Sequence, residues 1–275
     1  MDVIKNIYEN DINEYRNSSY KFGICMATYQ RKNRKSPSYL NQSLTSIINQ
    51  TADNWHLYLV GDKYEDENEI NKILESFPKN KLTFLNLPYA HERDNIKDQN
   101  KLWTVGGSNA SNHSYNLAVA DNCDYIIHTD DDDPMHIKKI QILNYILTIY
   151  SPICMFHYST YLKTHILPRE QINIIEKNNH IPRKGNVAHS SLVLHKSIAS
   201  VFKYDGYREL KTDYSPNDIE LIMYIEEILK NKDKYCIFVP LILCNHDIEK
   251  EVIQLPKIMN IINKKFIYKS KINKS

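Results

Sequence analysis

Tyr125-Ile126-Ile127-His128-Thr129-Asp130-Asp131-Asp132-Asp133-Pro134 is the stretch on which the fold turns. An apolar run that gives way to carboxylates reads as a buried strand reaching its carboxyl edge, where open α/β sheets bind ligands. Four adjacent aspartates repel, and each tends to keep its proton unless a cation or a donor offsets the charge. The simplest occupant of such an edge is a divalent metal carrying a phosphate. One aspartate has a plainer reading. Asp133 precedes Pro134, and Ile137, Ile140, Leu143, Ile146 and Leu147 follow at helical spacing, which predicts a helix with Asp133 as N-cap and proline in its first position. A helix-loop-helix calcium loop does not fit, because Pro134, Met135 and His136 stand where it needs a glycine and further ligands.

Outward from this run, strands and helices alternate. Phe22 to Thr28 is a short apolar run leading through a basic loop to Ser36-Pro37-Ser38, and Leu40, Leu44, Ile47 and Ile48 then recur at helical spacing. Trp55 to Val60 is the next strand, ending at Gly61-Asp62, which completes a βαβ unit. Ile70, Ile73, Leu74 and Phe77 mark a second helix, Leu82 to Leu87 a third strand, residues 89 to 108 a polar loop, and Asn109 to Ala120 a helix feeding the aspartate strand. Beyond the aspartates the pattern loosens into strands at Ile153 to Leu162, Ser190 to His195 and Tyr235 to Cys244, with a helix over Asn217 to Leu229. The expected fold is α/β: a Rossmann-like mixed central sheet with helices on both faces and an α+β second half. The organisation is an N-terminal extension (1–20), a nucleotide-binding half (21–133), a second half fused to it (134–250) and a basic tail (251–275).

With 275 residues, 42% of them hydrophobic, the chain can bury a substantial core. A net charge of only +2 and no basic stripe interleaved with aromatics before the last twenty residues argue against nucleic acid as partner. The five cysteines are scattered without metal-ligand spacing, as reduced thiols in a cytoplasmic protein are. The first twenty residues lack the apolar core of a signal peptide, so the mature chain is expected to start at Met1, and no run reaches the ~20 apolar residues of a membrane span. The tail sets Lys264, Lys265, Lys269, Lys271 and Lys274 among Ile258, Ile261, Ile262, Phe266 and Ile267, which suits either weak contact with an anionic membrane surface or a docked helix with a frayed basic end.

Five pieces in order resemble the inverting glycosyltransferases of the GT-A fold, family 2 type. They are Ala27-Thr28-Tyr29-Gln30-Arg31, the helix Leu40 to Gln50, the strand ending at Asp62, Asn116 to Ala120 before Asp124 to Ile127, and the D-x-D-D block from Asp130. The resemblance implies a nucleotide-sugar donor, UDP-sugar favoured, and a glycan, lipid-linked or protein-bound acceptor, which makes the second half (134–250) the acceptor-binding half. It also implies donor-binding roles for Thr28, Tyr29, Arg31, Asp62, Asn116, Asp130 and Asp131. Asp132 is the implied ligand of a Mn²⁺ or Mg²⁺ cofactor, and His246, after the last strand, stands where related chains place a histidine near the metal or diphosphate. The implied catalytic base is Asp218, with Asp213 and Glu220 as alternatives, since Asn217 replaces the usual acidic first member. Tyr115 stands where such chains often carry arginine, so a cation for the diphosphate would come from Arg93, Lys101 or Arg183. His189 fits an acceptor-orienting role and a polar strand edge equally well.

Two other readings remain. A nucleotidyltransferase would share the sheet and the metal-binding aspartates, but it usually carries a glycine-rich basic loop after the first strand, and this chain has six glycines in all and none there. A catalytically silent glycan-binding protein would have no need to hold clustered carboxylates.

Overall fold

The computed structural model describes residues 12–16, 18–33, 35–161, 165–167, 176–177, 187–205, 218–231 and 233–246. Parallel strands β1 (Phe22–Thr28), β2 (Trp55–Gly61), β3 (Leu82–Asn86) and β4 (Tyr125–Asp130) form one side of the sheet. The other side is built from β5 (Cys154–Tyr161), β6 (His165–Leu167), β7 (Glu176–Lys177), β8 (Leu192–His195) and β9 (Cys236–His246). The order is β3-β2-β1-β4-β8-β5-β9-β7, with β6 on β5, so one sheet runs through both halves of the chain. The join is antiparallel: β8 lies between β4 and β5 and opposes both.

The helices are α1 (Ser36–Ile48), α2 (Glu67–Leu74), α3 (His91–Asn95), α4 (Gln99–Val105), α5 (Ser108–Ala120), α6 (Lys139–Ile149), α7 (Lys196–Ala199) and α8 (Asp218–Ile228). Strand alternation divides the core between the two faces of the sheet. Phe22, Ile24 and Met26 pack with Leu40, Leu44 and Ile47 of α1 and with Leu143 and Ile146 of α6. Cys25 and Ile126 pack with Tyr115 and Ala118 of α5 and with Ile222 and Ile225 of α8. Gly23 allows this second layer its approach, since a Cβ there would stand 2.8 Å from the Ala118 methyl.

Two expectations are corrected. The polar loop over 89–108 contains two short helices, α3 and α4, whose five and seven residues are too few for a legible apolar stripe. Asp133 does not cap a helix. Residues 134–136 join β9 instead: Met135 bridges Cys244, His136 N donates to the Leu243 carbonyl, and Asn245 N donates to the Pro134 carbonyl. The helix therefore starts only at Lys139, where the Gln50 side chain accepts from Ile140 N at 3.2 Å. At the far side of the sheet, β9 slips register across Pro240, pairing Val239 with His157 and Ile242 with Tyr158, a bulge that absorbs a residue unable to donate to the ladder.

Candidate active site

Parallel registry brings three strand ends together. Ala27 pairs with Asp130 and Thr28 with Gly61, so the loop after β1, Asp62 after β2 and the aspartate turn after β4 share one edge. Along that turn the aspartates alternate. The side chains of Asp130 and Asp132 remain 38% and 30% exposed, whereas that of Asp131 is 5% exposed and Asp133 as a residue only 1%. The two open carboxylates are thus separated by one that the protein keeps for itself.

Arg31 holds Asp131 with two hydrogen bonds, Nη1 to Oδ2 at 2.9 Å and Nη2 to Oδ1 at 2.6 Å, and Thr28 Oγ1 adds a third at 2.7 Å. Burial opposes the Arg31 charge, but hydrogen bonding to Asp131 and the charges of Asp131 and Asp132 outweigh it, so its pKa lies above the ordinary value. Arg31 also comes within 3.2 Å of Asp132 Oδ2. That contact does not offset the rest of the cluster: burial, then Asp133, Asp131 and Asp130, push the Asp132 carboxyl up to about 7. The loop before it is shaped by Ser36, whose hydroxyl accepts from Arg31 N and donates to the Tyr29 carbonyl.

Tyr29, 38% exposed, carries the Arg31 guanidinium 4.9 Å from its ring centre and that of Arg93 at 5.3 Å. Arg93, on α3, donates from Nε to Asp62 Oδ2 at 2.9 Å. The second oxygen of this buried carboxylate, Oδ1, has no hydrogen-bond partner among the described residues. Burial raises the Asp62 pKa and Arg93 opposes the rise. Behind it, Gly107 enters α5 at φ 78°, a conformation that favours glycine, and Glu92 does the capping: its Oε1 accepts from Asn109 N at 2.7 Å, and its Oε2 is buried without a hydrogen-bond partner among the described residues.

On the other face of β4, period-two alternation sets His128 beside Asp130, with Nε2 3.4 Å from Oδ1. The His189 ring, from the 3₁₀ turn His189–Ser191, stacks on His128 at 3.4 Å. One ligand atom from each of His128, Asp130 and His189 lies within 4.8 Å of the others. Tyr115 Oη holds His128 Nδ1 at 3.1 Å, and Tyr204 bonds both Tyr115 and His189 Nε2. Buried polar contacts to the remaining nitrogens are how metal-binding imidazoles are oriented.

Thr28, Tyr29, Arg31, Asp62, Asp130, Asp131 and Asp132 therefore converge on one edge, with Arg31 and Asp131 satisfying each other. Asn116 is not brought there: it is exposed on α5, and its Oδ1 accepts from Lys203 Nζ at 2.6 Å. Arg93, read as a contact for a diphosphate, is engaged with Asp62. Glu220 lies on α8 and accepts from Asp205 N at 3.5 Å. Asp213, Arg183 and the basic tail fall outside the described residues, as do the side chains of Asp218, the first residue of α8, and of His246, the last of β9. His128 was missed by sequence reasoning, although its place two residues before Asp130 on a strand was a signal. Glu92 and Tyr204 carried none. All five cysteines are buried and outside any disulfide, and among the described residues no helix is long and apolar enough to cross a membrane.

No protein-family model matches the chain. It is similar to the uncharacterized glycosyltransferase R139 of Acanthamoeba polyphaga mimivirus, 37% identical over 243 residues, which cover 86% of this chain and 97% of the relative. Among solved structures, S. aureus TarS 1-349 superposes with a TM-score of 0.59 at 13% identity, covering 82% of this chain and 60% of that one. TarS 1-349 in complex with UDP-GlcNAc gives 0.59 at 13%, covering 86% and 60%. At that identity the likeness is one of fold, it bears out the GT-A-type α/β architecture, and this chain spans about 60% of the TarS fragment's length. Identity of 37% across nearly the whole of the viral relative carries more than fold, and by it this chain belongs to the glycosyltransferases.

Proposed function

We propose that the chain transfers a sugar, with inversion and with the aid of a divalent metal, from a nucleoside diphosphate sugar to a hydroxyl of a glycan, lipid-linked or protein-bound acceptor. The observation that carries this reading is the pairing of the two open carboxylates, Asp130 and Asp132, with the half-unsatisfied Asp62 on the same sheet edge. A buried acceptor without a donor costs stability until a ligand supplies one. A base with a ring N–H, such as uracil, or a ribose hydroxyl would satisfy Asp62 Oδ1, with Tyr29 offering an aromatic face alongside. A uracil nucleotide is favoured because TarS, which shares the fold, has been solved with UDP and with UDP-GlcNAc.

The donor set fits a metal. His128, Asp130 and His189 present converging ligand atoms, and Asp132, on the same turn but outside that trio, is a carboxylate whose neighbours oppose its ionisation, which a cation would reverse. Imidazole nitrogens favour Mn²⁺ over Mg²⁺, which prefers oxygen ligands. When bound, the metal supplies Lewis-acid neutralisation of the diphosphate as the sugar leaves, worth several kcal/mol. The chain's residues do the rest. Arg31 and Thr28 fix Asp131 so that Asp130 and Asp132 face outward, and Tyr115 and Tyr204 orient the imidazoles. Asp218, the first residue of α8, is the proposed base that takes the acceptor proton.

A thermal-shift panel of UDP, GDP, CDP and dTDP, each with and without Mn²⁺, tests the donor site. UDP is expected to stabilise the protein in a metal-dependent way, by about 2.7 kcal/mol at a hundredfold excess over its dissociation constant. A response to none of the four would overturn the reading.

A further inference from the structure

Lys139 is the first residue of α6 and has no solvent exposure. A cation is doubly disfavoured in that place: burial removes its hydration, and the first turn of a helix presents unpaired N–H groups. Something must hold it there. Its Nζ donates to the Ser190 carbonyl at 3.0 Å, and the Ser190 hydroxyl donates to Asp133 Oδ2. Asp133, itself buried, also places a favourable charge near the ammonium. Ser190 is thus gripped by its carbonyl and its hydroxyl, from the helix that follows the aspartate turn and from the turn itself. It is the middle residue of the turn His189–Ser191, and its neighbour His189 stacks on His128 beside Asp130. No step of the proposed reaction uses Lys139.

We propose that Lys139 is a positioning residue: acting through Ser190, it sets the His189 imidazole against His128 and Asp130, and so lets the second half of the chain deliver a ligand to the edge built by the first. The inference rests on the proposed metal-assisted transfer only in its kinetic consequences. Placement of the His189 ring is measurable without donor or metal.

Two paired variants of the full chain separate a positioning role from a merely structural one. Lys139→Met with Asp133→Asn removes the donor to Ser190 without leaving a buried charge unpaired, and Lys139→Gln with Asp133→Asn returns an N–H donor. The readout is the Cε1–H resonance of His189, assigned with His189→Ala and displaced in the wild type by the stacked His128 ring. In the Met pair the displacement is expected to collapse, Mn²⁺ affinity by electron paramagnetic resonance to weaken roughly tenfold, and the loss in kcat/KM to fall mainly on the KM for donor. In the Gln pair all three should recover. Should the Met pair not fold, Lys139→Leu with Asp133→Asn, which likewise lacks a donor to the Ser190 carbonyl, carries the same resonance test. A wild-type His189 resonance in whichever variant folds without the grip overturns the proposal. A collapsed resonance in a protein whose wild type neither binds Mn²⁺ nor transfers sugar upholds the grip and sinks the reaction instead.

Discussion

On the outer side of the aspartate turn, Arg31 and Thr28 reach Asp131 from the end of β1, and Asp132 beside it stays open enough to meet a ligand. On the inner side, Asp133 is buried and accepts from the Ser190 hydroxyl, whose residue Lys139 also holds. The same side chain therefore does two jobs within four residues. Where the turn faces the cleft, a carboxylate stays uncompensated, and Asp132 is held at about 7. Where it faces the core, each carboxylate has protein donors of its own. An acidic run is therefore not a uniform binding surface: burial alternates along it, and the buried members hold the open ones in place.

The largest effect expected from breaking that division is on chemistry. Asp132→Asn should lower transfer by roughly a thousandfold, equivalent to about 4 kcal/mol, while leaving a folded protein, as read by a sugar-transfer assay beside circular dichroism. Transfer at the wild-type rate would place the essential carboxylate elsewhere. Next, Arg31→Met leaves Asp131 buried with Thr28 as its remaining side-chain donor among the described residues, and should cost about 3 kcal/mol, toward the low end for breaking a buried pair because Arg31 keeps some exposure. Calorimetry should then show a fall in Tm of roughly 6–10 °C, much of it recovered when Asp131→Asn is added. An unchanged Tm would mean that the outer clamp contributes little.

A smaller effect is expected at Asp62. Replacing it with alanine removes a charged acceptor worth about 1.5–3 kcal/mol, so UDP affinity by isothermal titration should weaken roughly tenfold to a hundredfold. The open carboxylate also gives stability a pH dependence. The folded Asp132 carboxyl titrates near 7, against an ordinary value of about 4. Between those values the folded protein binds a proton that the unfolded chain has released. Metal-free stability should therefore fall as pH rises through the window and level off above it, while Mn²⁺ binding, which needs the carboxylate, strengthens. Asp132→Asn should flatten this part of the Tm profile in EDTA, and an unaltered profile would dismiss the shift. Last, Asn116→Ala should change UDP affinity by less than about threefold, because that side chain faces outward to Lys203. A loss as large as that at Asp62 would show that α5 reaches the donor after all.

Much of the first half was legible because its signals are local. The βαβ units announce themselves through period-two and helical spacing, and the strand ends at Thr28, Asp62 and Asp130 mark the edge where ligands bind. The Asp133 cap failed for an equally physical reason. Aspartate before proline is a sound helix start, yet residues 134–136 found backbone partners on β9, more than a hundred positions away. Short helices such as α3 carry too few apolar positions to be seen, and α3 brings in Arg93 and Glu92, the residues that hold Asp62 and cap α5.

What the chain determined by itself is the alternation of its elements, the strand that ends in carboxylates and the residues gathered along one sheet edge, since these depend on spacing and on the obligatory parallel registry of βαβ units. Which aspartates stay open was decided only in three dimensions. It depended on β8 entering antiparallel between β4 and β5, which carries His189 and Ser190 to the turn, and on Lys139 being buried where it meets them. Contacts between residues fifty or more positions apart leave no trace in local periodicity, because they are selected by burial and by the need to satisfy every polar group taken from water.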